Sequence, residues 1–159
     1  MVTIAGNGMG KYDFSNLELN FYNYDKIICD LNFIDNGRNI LKLKFKDAQD
    51  YILENFEKEN ILYIVTGSPL FFSAGTIIAN KLPKDKVKII NNISSKTYLL
   101  EKLFVSENDV SVVSIHGRVS IDLEEFLKKK YTFVLSDKNS IQRLNEALKK
   151  KKKDSISTT

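Results

Sequence analysis

Short glycine-rich and polar turns follow five predicted strands, and they hold most of the residues that could do chemistry. In chain order they are Gly6-Asn7-Gly8-Met9-Gly10, Thr66-Gly67-Ser68-Pro69, Asn91-Asn92-Ile93-Ser94-Ser95, Ser114-Ile115-His116-Gly117-Arg118 and Ser136-Asp137. In open parallel sheets, ligands bind beyond the carboxyl ends of the strands. The five turns therefore predict a ligand site at one edge of a sheet. The first two turns should lie close together, because both follow central strands.

The glycines of the first turn suit a ligand that lies against the backbone. Gly6, Gly8 and Gly10 permit close approach and a positive φ. Their spacing differs from the G-x-G-x-x-G fingerprint of dinucleotide-binding folds. Each turn also fits a purely structural interpretation: Gly67-Ser68-Pro69 as a strand-to-helix turn, and Ser94-Ser95 as a helix N-cap pair.

The chain's single histidine, His116, closes an apolar strand and precedes Gly117 and Arg118. A histidine can accept or donate a proton near neutral pH, and an arginine can bind a carboxylate through a two-pronged fork. The alternative is that His116 braces the turn and Arg118 is an ordinary surface charge.

The elements that must position these turns alternate between strand and helix. The predicted strands are Val2–Ala5, Lys26–Cys29, Asn39–Phe45, Ile61–Thr66, Val87–Ile90, Val110–Ile115 and Thr132–Leu135. The predicted helices are Lys46–Glu59, Leu70–Leu82, Ser95–Leu103, Asp122–Lys130 and Ser140–Lys150. This alternation predicts an α/β fold with a largely parallel sheet and flanking helices.

Composition narrows the classes of protein. The 159 residues are 43% hydrophobic and 28% charged, within the globular range. One cysteine, Cys29, excludes an intrachain disulfide, and one histidine excludes a multi-histidine metal centre, so no metal site is predicted. No apolar run reaches the roughly 20 residues of a membrane-spanning helix. The N-terminus lacks the basic and apolar regions of a secretion signal. We therefore expect a cytoplasmic protein with no membrane partner.

The net charge of +4 depends on five consecutive lysines, Lys149–Lys153. Without them the chain would be close to neutral, so we interpret them as a solvated helix end before a mobile polar tail at 151–159. A nucleic-acid-binding arm is the alternative. It is disfavoured because no aromatic residues interleave with the lysines to stack on bases.

In order and spacing, these motifs resemble the tetrapyrrole (precorrin) methylases, which use S-adenosyl-L-methionine. That family has a GxGxG turn, then Gly-Asp-Pro, then Pro-Gly-x-Ser-Ser; here Ser68 replaces the aspartate and Asn91-Asn92 replaces Pro-Gly. The segment Ser114–Arg118 is similar to the Ser-Leu-His-Gly-Arg segment of the family's C(5)-methylating branch. The resemblance extends from Val2 to about Leu148.

The resemblance implies a two-lobe architecture, with an N-terminal lobe at 1–105, a partial C-terminal lobe at 106–150 and the tail at 151–159. It implies methyl transfer from S-adenosyl-L-methionine to ring carbon C(5) of a (cobalt-)precorrin intermediate of cobalamin biosynthesis. The implied cofactor-binding residues are Gly6, Gly8, Gly10, Thr66, Gly67, Ser68, Ser94 and Ser95. The implied substrate-binding residues are His116, Gly117 and Arg118. Among these, His116 would shuttle a proton and Arg118 would neutralise substrate carboxylates.

The resemblance also implies partners. We expect a homodimer, a corrinoid substrate that carries any cobalt itself, and a separate C(15)-methylating decarboxylase partner. Ser68 is expected to act only through its backbone. Ser68 and the short second lobe leave open a non-catalytic or degenerate family member that binds corrinoid or a partner subunit. Methylation of another ring carbon or of ribosomal RNA is disfavoured by the His-Gly-Arg segment.

Overall fold

The computed structural model describes residues 1–37, 39–115, 123–127 and 129–156. The chain divides into two compact units, Met1–Leu99 and Leu100–Thr159. Within the described residues, no helix combines the length and the apolar character needed to cross a membrane.

The first unit is built on a five-stranded sheet. Its elements are β1 (Val2–Gly6), β2 (Lys26–Cys29), β3 (Ile40–Lys42), α1 (Phe45–Asn55), β4 (Ile61–Val65), α2 (Ala74–Ala79), β5 (Val87–Ile90) and the start of α3 (Ser95–Leu103). The strand order is β3-β2-β4-β1-β5, and every pair is parallel. Because β1 lies between β4 and β5, the turns that follow these three strands are neighbours at the carboxyl edge.

The two faces of this sheet are covered differently. Successive strand residues point to opposite faces. On one face Ile4 packs in a buried cluster with Ile52 of α1 and Ile78 of α2. On the other face Ala5 and Leu62 belong to a second cluster, against which aromatic and leucine side chains of segment 13–24 pack. Burial on both faces explains why every residue of β1 and β4 is buried and why neither strand carries a charged residue.

The second unit contains β6 (Val110–Ser114), β7 (Tyr131–Leu135) and α4 (Lys138–Ile156). β6 and β7 pair in parallel. Leu144 of α4 packs against Val113 and Ile115 in a small core. The α/β class and the parallel sheet are confirmed, whereas the predicted division into lobes at 105 and 106 stays a prediction.

Several predicted boundaries are corrected. The helix predicted at 70–82 begins only at Ala74, because Phe72 has a left-handed φ of 45° and Ser73 caps the helix by accepting from Gly75 N at 3.1 Å. Within the helix predicted at 122–130, the described residues form a 3-10 helix, Leu123–Leu127.

Three other elements differ from their predicted bounds by more than one residue. The strand predicted at 39–45 is only Ile40–Lys42, and α1 ends at Asn55 rather than residue 59. The last helix begins two residues early, because the Asp137 carboxylate accepts hydrogen bonds from Asn139 N and Ser140 N. Its backbone continues to Ile156, past the predicted end at residue 150.

Candidate functional site

The turns after β1 and β4 are bonded directly to each other. Gly8 N donates to Gly67 O at 3.0 Å, and Gly67 N donates to Gly8 O at 2.9 Å. Asn7 N also donates to Val65 O at 2.8 Å. Gly8 and Gly67 have φ values of 68° and 65°, which side-chain-bearing residues rarely adopt. The prediction that these two turns lie together is confirmed.

Gly6 is required for a different reason, which is lack of space. A Cβ atom at Gly6 would lie 2.5 Å from Gly67 O and 2.7 Å from Pro69 Cδ. The end of β1 therefore packs against the backbone of the β4 turn with no room for a methyl group. By contrast, a Cβ atom at Gly10, whose φ is 131°, would approach only Asn16 Nδ2, at 3.8 Å. The last glycine of the turn thus lies on its open, exposed side.

The turn after β5 reaches both of the other turns through two asparagines. Asn92 Nδ2 donates to Gly6 O at 3.0 Å, and Asn92 Oδ1 accepts from Ile93 N at 2.8 Å. Ser68 Oγ donates to Asn91 Oδ1 at 2.7 Å. The sequence pattern places these asparagines in one of the five turns of the predicted site, and the family resemblance marks them as departures without a role of their own. Their position in a turn directly after a strand is the sequence signal that they share with the glycine turns, whereas their bonding partners depend on β5 lying next to β1.

Ser68 is buried, and its hydroxyl makes two hydrogen bonds. Besides donating to Asn91, the oxygen accepts from Leu70 N at 3.1 Å. The side chain of Ser68 therefore links two turns, while the expectation that Ser68 acts on the ligand only through its backbone stays a prediction. Thr66, at the start of the same turn, is exposed at the carboxyl edge.

Ser94 and Ser95 lie at the start of α3. Ser94 Oγ accepts from Thr97 N at 3.1 Å, so Ser94 caps the helix. Ser95 is the first residue of α3 and is half-buried. Gly67 lies close to this turn, since a Cβ atom built on it would be 4.0 Å from Ile93 O. The structural interpretation of the serine pair is thus realised at Ser94, next to the turns that meet.

Asn7 is a buried polar residue within the glycine turn. Its side-chain Nδ2 donates to Lys11 O at 3.0 Å, and its backbone carbonyl accepts from Asn16 Nδ2 at 3.1 Å. Its Oδ1 has no hydrogen-bond partner among the described residues. Exposed apolar side chains, including Met9, Leu70 and Phe72, flank the turns. These features fit a ligand that combines hydrogen-bonding groups with apolar parts, as S-adenosyl-L-methionine does.

Neither a metal site nor a reactive thiol emerges from the described residues. Among them there is no group of three or more histidine, cysteine or acidic residues that could hold a metal ion. Cys29 is buried, and burial raises the pKa of its thiol to about 11. A neutral, inaccessible thiol is a poor nucleophile.

The predicted substrate residues His116, Gly117 and Arg118 lie outside the described residues. The strand that leads to them is described. Ile115, which follows this strand, is buried, and its N–H donates to Leu135 O at 2.8 Å. Their roles stay predictions.

The fold and these turns define an α/β protein with a candidate small-ligand site at the carboxyl edge of a parallel sheet. The chain is 28% identical over 79 residues to the cobalt-precorrin-7 C(5)-methyltransferases of Salmonella typhimurium and Salmonella typhi. Each alignment covers 50% of this chain and 39% of the relative. The matched part therefore spans about two-fifths of the length of these curated relatives. No family model matches the chain.

Solved structures of methyltransferases also resemble this chain in fold. The precorrin-6Y methylase of Archaeoglobus fulgidus has a TM-score of 0.65 and 23% identity, over 86% of this chain and 73% of that one. The methyltransferase CobJ has a TM-score of 0.55 and 15% identity, over 76% of this chain and 58% of that one. The resemblance to the tetrapyrrole methylases is confirmed in sequence similarity, and the chain has their fold.

Proposed function

We propose that this protein binds S-adenosyl-L-methionine and transfers its methyl group to a tetrapyrrole, specifically to C(5) of a (cobalt-)precorrin. The observation that carries the proposal is the paired Gly8–Gly67 turn. It lies at the carboxyl edge of the sheet, where the similar methylases have their glycine turn. The named activity of the curated relatives supports the choice of substrate and ring carbon.

Methyl transfer requires little from the protein beyond positioning the donor and the acceptor. The sulfonium of S-adenosyl-L-methionine supplies an already activated methyl group. The protein must hold that group in line with a nucleophilic ring carbon and exclude water. Gly10 leaves the exposed side of the turn open to the methionyl part of the cofactor, whose carboxylate can accept from backbone N–H groups. Gly8 holds the turn against Gly67. Thr66 and Gly67 line the same edge.

Two residues are proposed to act on the substrate. Arg118 neutralises carboxylates at the rim of the corrinoid. His116 takes up the proton released as the electrons of the ring reorganise after methylation. Any cobalt belongs to the substrate. Homodimerisation, a cytoplasmic location and a separate C(15)-methylating decarboxylase partner are part of the same proposal.

The test is binding of the product analogue S-adenosylhomocysteine, measured by calorimetry and by thermal denaturation. At 100 times its dissociation constant, the ligand should stabilise the folded state by about 2.7 kcal/mol. For a chain of this length, that corresponds to a rise in Tm of roughly 5–10 °C. Adenosine and homocysteine added separately are the controls. No heat of binding and no rise in Tm would refute the proposal.

A second candidate is a degenerate member that binds corrinoid without the methyl donor. It is favoured by Ser68, whose hydroxyl is occupied by Asn91 where the family has a carboxylate. Under this alternative, a carboxylated corrinoid binds and quenches the intrinsic tyrosine fluorescence, while S-adenosylhomocysteine gives no heat. The same pair of titrations therefore separates the two functions.

A further inference from the structure

We infer that Asn91 and Asn92 are positioning residues that hold the three turns of the candidate cofactor site at their working separation. The inference rests on the proposed function. It concerns residues that depart from the family pattern and to which the sequence alone gave no individual role.

The three turns form a closed ring of hydrogen bonds. The β1 and β4 turns are joined by the reciprocal bonds between Gly8 and Gly67. The β4 and β5 turns are joined by Ser68 and Asn91. The β5 and β1 turns are joined by Asn92 Nδ2 and Gly6 O. Each turn is therefore bonded to both of the others, and two of the three links depend on an asparagine side chain.

Asn92 also fills the space that glycine leaves open at position 8. A Cβ atom built on Gly8 would lie 2.8 Å from Asn92 Oδ1, 3.0 Å from Cγ and 3.2 Å from Nδ2. The carboxamide thus packs flat against the glycine turn while it holds Gly6 O. Gly8 and Asn92 are complementary, and a change at one is felt at the other.

The directions of these bonds favour a positioning role over direct contact with a ligand. Nδ2 and Oδ1 of Asn92 are both directed at backbone groups of the protein. In the described part of the chain, β5 pairs with β1 alone, so its turn has no second neighbouring strand to hold it. The asparagine side chains supply that restraint.

The first experiment compares Asn92→Ala with Asn55→Ala. Asn55 is a matched control, because its Nδ2 also donates to a backbone carbonyl, Tyr51 O at 2.8 Å, but on α1 and outside the ring. Both variants should lower Tm by similar amounts. Only Asn92→Ala should weaken S-adenosylhomocysteine binding, by about tenfold, the loss expected for one well-placed hydrogen bond. Equal affinities in Asn92→Ala and the unmodified protein would overturn the inference.

Amide hydrogen exchange tests the same inference without a ligand. Asn92→Ala should speed exchange at Gly8 N–H and Gly67 N–H, whereas Asn55→Ala should not. Unchanged exchange at both glycines would overturn the inference, whatever the ligand does. If the unmodified protein fails to bind S-adenosylhomocysteine yet exchange at these amides responds to Asn92→Ala, the proposed function falls and the positioning role stands.

Discussion

Replacing Gly6 with alanine tests whether the end of β1 must lie against the β4 turn. The new Cβ atom would be 2.5 Å from Gly67 O and 2.7 Å from Pro69 Cδ, closer than real Cβ contacts. The first obstacle is backbone and the second a proline ring, so neither can rotate away. Gly6 does not have a positive φ, so the cost is steric alone.

The size of the effect follows from this overlap. The two turns must separate by several tenths of an ångström, which strains the paired bonds between Gly8 and Gly67. Overpacking of this kind costs about 1–3 kcal/mol, and rigid neighbours favour the upper half of that range. In a chain of this length, that corresponds to a fall in Tm of roughly 4–12 °C. Affinity for S-adenosylhomocysteine should fall at least tenfold, because the same displacement widens the site.

The assay is thermal denaturation with and without S-adenosylhomocysteine, with calorimetric titration at a temperature where the variant is folded. Gly37→Ala is the matched control. Its Cβ atom would meet mainly the flexible Ile40 Cδ1, at 3.1 Å, in an exposed loop. The control should change Tm by only about 1 °C, because a Gly→Ala change in an exposed loop alters the stability by about a few tenths of a kcal/mol through chain entropy. If Gly6→Ala behaves like Gly37→Ala in both measurements, the close approach is not required and the reasoning fails.

The remaining predictions concern the side chains of Ser68, Cys29, Arg118 and His116. Ser68→Ala removes a donor to Asn91 and an acceptor in a buried site, so it should cost about 1–2 kcal/mol of stability by denaturant titration; an unchanged midpoint would contradict this. Cys29 should resist thiol reagents at pH 8 until the protein is unfolded, and rapid labelling of the folded protein would contradict its burial. Because folding raises the pKa of Cys29 from 9.0 to about 11, its contribution to stability is complete below pH 9 and declines as the pH rises towards 11. Arg118→Ala should weaken corrinoid binding by about ten- to a hundredfold and leave S-adenosylhomocysteine binding unchanged. His116→Ala should instead lower turnover by about a hundredfold. Lower melting temperatures of both variants with normal corrinoid binding would assign both residues a structural role.

The sequence predicted regular elements well where an apolar run is bounded by polar residues. β2 and β5 have the predicted bounds, because the residue after each strand is polar. α3 also has the predicted bounds; Ser94 caps its start, and Phe104, with a left-handed φ of 53°, follows its end. The start of α2 was missed for a physical reason. The run Leu70-Phe71-Phe72 looks helical in composition, yet Phe72 adopts a left-handed conformation that no sequence pattern signals for an aromatic residue.

The meeting of the glycine turn with Gly67 was predictable, because both follow central strands of a parallel sheet. The links through Asn91 and Asn92 were not. They depend on β5 lying next to β1, which strand alternation alone does not specify. They also depend on side-chain directions within a turn. A family pattern directs attention to the residues that match it, and Asn91 and Asn92 do not match.

The two departures from the family pattern are chemically linked. The bond between Ser68 and Asn91 needs a hydroxyl at one position and a carboxamide at the other. Proline or glycine at position 91 would offer no side-chain group to bond. A carboxamide can turn over to present either its oxygen or its N–H groups, so it can accept from a serine or donate to a carboxylate. The serine and the asparagine thus form a neutral pair that holds two turns together, while Asn92 holds the third. The closed ring therefore holds the three turns together without the aspartate and the proline–glycine pair of the family pattern.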